Sequence, residues 1–176
     1  MRSNLINFVL FQLGWFACVL SSAAMMPWIG AVVATLVIAY HLYTADQLAV
    51  ELKLLGVAML IGLLWDSLLV SSELLQYASG MVIANAAPYW IIIMWALFAT
   101  TLNRSLGWLK QKRVLAMVLG AVAGPLAYYA GANLGALTFL DQNQALIALA
   151  VGWGLFTPVL VALSGRLNRP RSLSEA

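Results

Sequence analysis

Charge is scarce in this sequence: nine basic and six acidic residues among 176, or 9%, where soluble domains carry about a quarter. So few ionic groups cannot cover the surface of a 19.0 kDa sphere, which excludes a soluble globular protein. Histidine and cysteine each occur once. That excludes a bis-histidine haem, a Cys/His metal cluster and an internal disulfide, so no cofactor and no metal is expected. The short alternating segments of a transmembrane barrel are also missing, as are internal repeats and low-complexity stretches. What is present is apolar sequence, 64% of the chain against about 45–50% in ordinary domains, arranged in long unbroken blocks. A disordered chain needs the opposite composition. A small polytopic helical membrane protein remains.

A helix crossing about 30 Å of hydrocarbon needs about 20 mostly apolar residues. The sequence accommodates six of them, at about 5–24, 28–43, 53–75, 88–104, 114–135 and 145–164. The expected fold is therefore all-α, a single integral-membrane domain over 1–176 with six transmembrane helices. Pro27 and Pro88 stand where a helix starts and lose no hydrogen bond there. Ser79-Gly80 and Asn85 signal turns in the connection after the third helix. Pro158 predicts a kink in the sixth. The first block imitates a signal peptide through Arg2, its apolar run and Ser22-Ala23-Ala24. The run is long for that role and Asn4, Asn7 and Gln12 are foreign to it, so an uncleaved helix is expected.

Orientation follows from the basic residues. With both termini inside, the cytoplasmic segments hold Arg2; Lys53; Arg104, Lys110, Lys112 and Arg113; and Arg166, Arg169 and Arg171. Those are all nine basic residues. The opposite side shows Glu73 and Asp141 instead. Positive charge in short loops stays inside, so the expectation is N-in and C-in. Trp28, Tyr89-Trp90 and Trp108 fall at predicted interfaces as aromatic anchors. Lys110, Lys112 and Arg113 can meet anionic headgroups, making membrane lipids the expected partners, with another membrane protein as a further candidate. The net charge of +3 is a topology signal and not a sign of nucleic-acid binding.

Asp66 is the exception to the apolar interior. It lies twelve residues past Leu54, about 18 Å into the membrane at 1.5 Å per residue. A carboxylate there must be paired, protonated or turned to a polar cavity, and no Lys or Arg shares its depth. Neutral donors are expected instead. Trp95, Tyr128 and Trp153 come to nearly the same level, which predicts a midplane pocket around Asp66 lined by these aromatics and suited to a ligand. The plainer reading is a hydrogen bond that ties helices together. Glu73 follows Asp66 by two helical turns and could extend an acidic stripe to the surface; the solvated end of a helix is the simpler expectation. His41, alone near the end of the second helix, marks no catalytic arrangement.

The fifth helix carries small residues at packing intervals, Ala116, Gly120 and Gly124, then Ala127, Gly131 and Gly135. Gly124-Pro125 should bend or open it in mid-span. These stretches also carry a resemblance. Trp65-Asp66, Ala87-Pro88-Tyr89-Trp90 and the run from Trp95 to Leu102 belong to it, as does the run from Gly120 to Gly131. Together with Asn7, Gln12 and Trp15-Phe16 they make the chain similar, over nearly its whole length, to a family of small bacterial inner-membrane proteins of unknown function. The resemblance implies a multi-pass protein of the bacterial cytoplasmic membrane and assigns no catalytic residue.

Three functions fit. One is a membrane protein that binds or transports a small molecule or lipid at Asp66 and its aromatic layer. Another is a membrane enzyme or enzyme partner in lipid modification, which lacks a second catalytic group at hydrogen-bonding depth. The third is a scaffold or assembly subunit using the glycine ladder.

Overall fold

A computed structural model describes residues 2–168, with the side chain of Arg2 outside the description. Arg169 and Arg171 of the orientation argument therefore lie outside the described residues. The chain forms α1 (Arg2–Ala23), α2 (Pro27–Tyr43), α3 (Leu48–Ser71), β1 (Leu75–Tyr77), α4 (Tyr89–Ala99), a 3-10 turn (Gly107–Leu109), α5 (Arg113–Asn133), β2 (Leu137–Phe139) and α6 (Gln142–Leu167). Helices dominate the described residues, as the composition requires. Four of them, α1, α3, α5 and α6, are long and apolar enough to cross a membrane.

The other two are shorter. α2 has 17 residues and α4 only 11, about 16 Å of rise. Of the expected fourth span of 88–104, only 89–99 is α-helical. Its end is set by Thr100 and Thr101, whose hydroxyls donate back to the carbonyls of Leu97 and Phe98 at 2.7 and 2.6 Å. Hydroxyls that compete for helical carbonyls suit helix ends, and the chain continues in turns to the 3-10 segment. No residue of α4 is exposed. A helix apolar on every side belongs in the middle, and α4 lies there, packed on α1, α2 and α3.

The longer helices display an apolar exterior. Leu13 on α1, Leu64 on α3, Leu126 on α5 and Val151 on α6 are each more than half exposed. Soluble monomers do not carry apolar surface on this scale. Both prolines inside helices are tolerated: α5 continues through Pro125 and α6 through Pro158. The expected opening of the fifth helix at Gly124-Pro125 is absent, because α5 lies along α6 and is supported by it.

The two ends of the bundle are closed differently. At one end β1 and β2 pair antiparallel, with Tyr77 opposite Leu137, and the Ser79 hydroxyl donates to the Ser22 carbonyl at 2.8 Å. Nothing in the sequence announced this three-residue pairing. The carboxyl of Asp141 caps α6 there, accepting the Gln144 backbone N–H at 3.0 Å. At the other end Asn7 of α1 donates to the Thr100 carbonyl and accepts from Ser105, while Arg104 reaches the Thr44 carbonyl. Trp90, expected at an interface, is buried and donates its indole N–H to the Ser79 carbonyl at 2.9 Å. Trp28 and Trp108 are exposed, and Lys112 lies over the Trp108 ring, 5.2 Å from its centroid.

Candidate functional site

Asp66 sits in the last third of α3 and is fully buried. One carboxyl oxygen accepts the hydroxyls of Tyr77 at 2.5 Å and Tyr128 at 2.6 Å. The other accepts the indole N–H of Trp95 at 2.7 Å. All three donors are neutral, as the lack of basic residues at this depth demands. They come from β1, α5 and α4, so a single side chain joins four elements.

Each donor is positioned by a local feature of the sequence. Gly62 lies one turn before Asp66 on α3, and a Cβ there would sit 2.2 Å from the Trp95 ring. The indole occupies the space that glycine leaves. Tyr77 reaches the carboxyl because pairing with β2 holds its strand over the end of α3. Tyr128 is buried on the inner side of α5.

Trp153 of α6 joins this group by stacking and not by hydrogen bonding. Its ring lies 4.5 Å from that of Trp95 and 14° from parallel. Gly124 of α5 backs onto it, since a Cβ there would fall 2.2 Å from the indole. Gly120 abuts the Trp153 carbonyl and the Thr157 hydroxyl in the same way. Gly131 is buried on α5, and Gly135 turns the chain after it at φ 87°. Pro125 is half-buried between these contacts.

Beside this layer runs an apolar cleft of about 510 Å³. Its walls are α1, through Phe8, Phe11 and Trp15, and α5, through Ala123 and Ala127. Trp95, Tyr128 and Trp153 border it from within, but Asp66 does not. α1 packs on α2 and α5 on α6, not closely on each other, which leaves the gap. The cleft extends from Leu137 near the β pair to Leu109 in the 3-10 turn, most of the length of the bundle. Two polar atoms of its bordering residues, Trp153 Nε1 and Thr157 Oγ1, are buried without a hydrogen-bond partner. Such groups are costly to leave buried.

Of the residues singled out from the sequence, Asp66, Trp95 and Tyr128 are in direct contact, and Trp153 is one ring further out. Glu73 is elsewhere. α3 ends at Ser71, and Glu73 follows its cap with φ 55°, exposed. The helical register that would align it with Asp66 has already stopped, so no acidic stripe forms.

Two features were missed. Tyr77 lies beyond the helix that carries Asp66, and only the strand pairing brings it back. Glu51, which the expected spans leave in the connection before the third helix, is buried in the first turn of α3 against His41 at 3.0 Å. Among the described residues no group of three or more His, Cys, Asp or Glu side chains could hold a metal ion.

Residues 4–159 match the family described as "Protein of unknown function (DUF2878)", and the chain belongs to that family. No curated protein and no solved structure matches the chain.

Proposed function

We propose that this is a multi-pass protein of the bacterial cytoplasmic membrane that binds a small amphipathic molecule or lipid in the cleft between α1 and α5. The observation that carries the reading is the cleft itself. It holds about 510 Å³ and is walled by aromatic and small side chains, with Gln12, Thr101 and Ser105 among its polar lining residues. Apolar concavities with a few polar groups are where ligands bind. Enclosure of the carboxyl by Trp95, Tyr77 and Tyr128 gives Asp66 a positioning role. It fixes the aromatic face that a ligand meets and does not touch the ligand. A buried acid with no path to substrate also weighs against general acid–base catalysis.

The proposed arrangement has six membrane-crossing segments with both termini inside. The basic side chains of Lys53, Arg104, Lys110, Lys112, Arg113 and Arg166 all occur at the ends of helices or in loops on one side of that arrangement, and Glu73 and Asp141 on the other. α2 and α4 cross in this scheme because their neighbours and the flanking turns complete the depth they lack. The resemblance to inner-membrane proteins points to the same compartment.

The test is what accompanies the protein in mild detergent. Ala127 is partly exposed and borders the cleft, so Ala127→Trp fills it without disturbing the Asp66 hydrogen bonds. Extraction and mass spectrometry should find a molecule that accompanies wild type and is depleted from the variant. The same complement in both refutes the proposal.

A further inference from the structure

A second cavity, of about 350 Å³, opens between the start of α1 and the end of α2, away from the aromatic cleft. Its polar lining is Ser3, Asn7, Tyr40, His41, Thr44 and Arg104. The buried groups behind it are organised. Glu51 accepts from His41 Nε2 at 3.0 Å through one oxygen and from Asn103 Nδ2 at 2.8 Å through the other. Asn103 is itself held by α6, its carbonyl oxygen accepting from Ser164 Oγ at 2.5 Å and Asn168 Nδ2 at 2.8 Å. A carboxylate only accepts, so in a neutral ring the nitrogen that faces Glu51, Nε2, is the one that carries the proton. In that ring Nδ1 is left as an acceptor, and the hydrogen bond His41 makes is through Nε2.

Arg104 supplies the opposite character. One terminal nitrogen donates to the Thr44 carbonyl at 2.5 Å and the other lies 3.4 Å from Ser3 Oγ. Its approach to Asp46 is long, 3.8 Å, to a carboxylate that is 92% exposed. A guanidinium carries five N–H donors, and this one is fixed in place with donors to spare. Ile6 and Tyr40, both nearly half exposed, form an apolar and aromatic rim. The cavity therefore joins an anchored cation, a ring nitrogen acceptor and an apolar approach.

We propose that this cavity binds a phosphate group with a hydroxyl beside it, the chemistry of a glycerophosphate headgroup. Arg104 takes the phosphate oxygens in charge-assisted hydrogen bonds. His41 Nδ1, in the neutral ring, accepts a hydrogen bond from the hydroxyl, with Glu51 fixing the ring. Ile6 and Tyr40 receive the first carbons of any attached chain. This site is independent of the aromatic cleft.

The test places wild type in nanodiscs of mixed phosphatidylglycerol and phosphatidylcholine and counts the lipids retained by native mass spectrometry. Phosphatidylglycerol should be retained in preference, and Arg104→Gln should reduce that preference about tenfold, the effect of one charge-assisted hydrogen bond. Ile6→Trp fills the cavity from its exposed rim while every hydrogen bond stays in place, and should have the same effect if Arg104→Gln does not fold. Ala127→Trp should leave the preference unchanged. Inorganic phosphate and glycerol phosphate, added to lipid-free protein, identify the source. A rise in unfolding temperature with either assigns the site to a soluble phosphate compound, and stabilisation by phosphatidylglycerol alone assigns it to lipid. The proposal is overturned if the two lipids are retained equally and neither phosphate stabilises the protein. It is equally overturned if Ile6→Trp binds as wild type does.

Discussion

At Asp66 three neutral donors converge on two oxygens, and the replacement side chain decides how many are left without a partner. In Asp66→Asn the amide oxygen can still serve Trp95, which only donates, while the amide N–H groups turn to tyrosine hydroxyls that can accept. Asp66→Leu orphans all three, at about 1–3 kcal/mol for each buried donor. Thermal unfolding in detergent should rank wild type above Asp66→Asn and Asp66→Leu well below both. Equal melting temperatures would show that the hydrogen bonds carry no stability. Tyr77→Phe should cost about 1 kcal/mol in wild type and less in Asp66→Leu, where its acceptor is already gone. Asp66, Trp95 and Tyr128 were legible in the sequence because a carboxyl in an apolar chain must find donors, and helical rise gives their depth. Tyr77 was not, since a strand and not a helix sets its height. Glu51 was hidden for a related reason: one turn more of α3 than the hydropathy indicates takes it out of a loop and into a buried hydrogen bond with His41.

Among the elements, α4 is the most informative. Its 11 residues are wholly within the bundle, and it offers Trp95 to α3 across the space at Gly62. Gly62→Ala places a methyl inside the Trp95 ring and should destabilise the protein by about 1–3 kcal/mol, an overpacking cost. Gly56 and Gly165 lie in the helices α3 and α6 with open space around them. Gly56→Ala and Gly165→Ala should instead stabilise by up to about 1 kcal/mol, from helix propensity alone. Chemical or thermal unfolding of the three variants checks the contrast, and a stable Gly62→Ala would show that Trp95 is not held by this contact. Hydropathy found every helix because each is an apolar block. It overran the end of α4 because Thr100-Thr101-Leu102 carries no charge to interrupt an apolar block, while the two threonine hydroxyls end the helix. The β1–β2 pair left no trace in composition: three residues on each side contact each other only because α3 and α5 end together.

For the whole molecule, the separation of charge between its two ends makes an accessible prediction. Cys18 is fully buried and should not react with a maleimide that cannot cross membranes. Gln142→Cys, in the first turn of α6, should be labelled in intact cells. Gln111→Cys, between the 3-10 turn and α5, should be labelled only after the membrane is permeabilised. The reverse pattern would invert the proposed orientation. The cleft belongs to this scale as well, since it exists because two helix pairs, α1 with α2 and α5 with α6, stand apart around α4.

Whether that gap holds a ligand is the central claim, and a density map of wild-type protein in nanodiscs tests it directly. The account predicts elongated non-protein density between α1 and α5, in contact with Trp95 and Trp153 and absent from Ala127→Trp. An empty cleft, or α1 and α5 closed upon each other with their side chains interlocked, would contradict it.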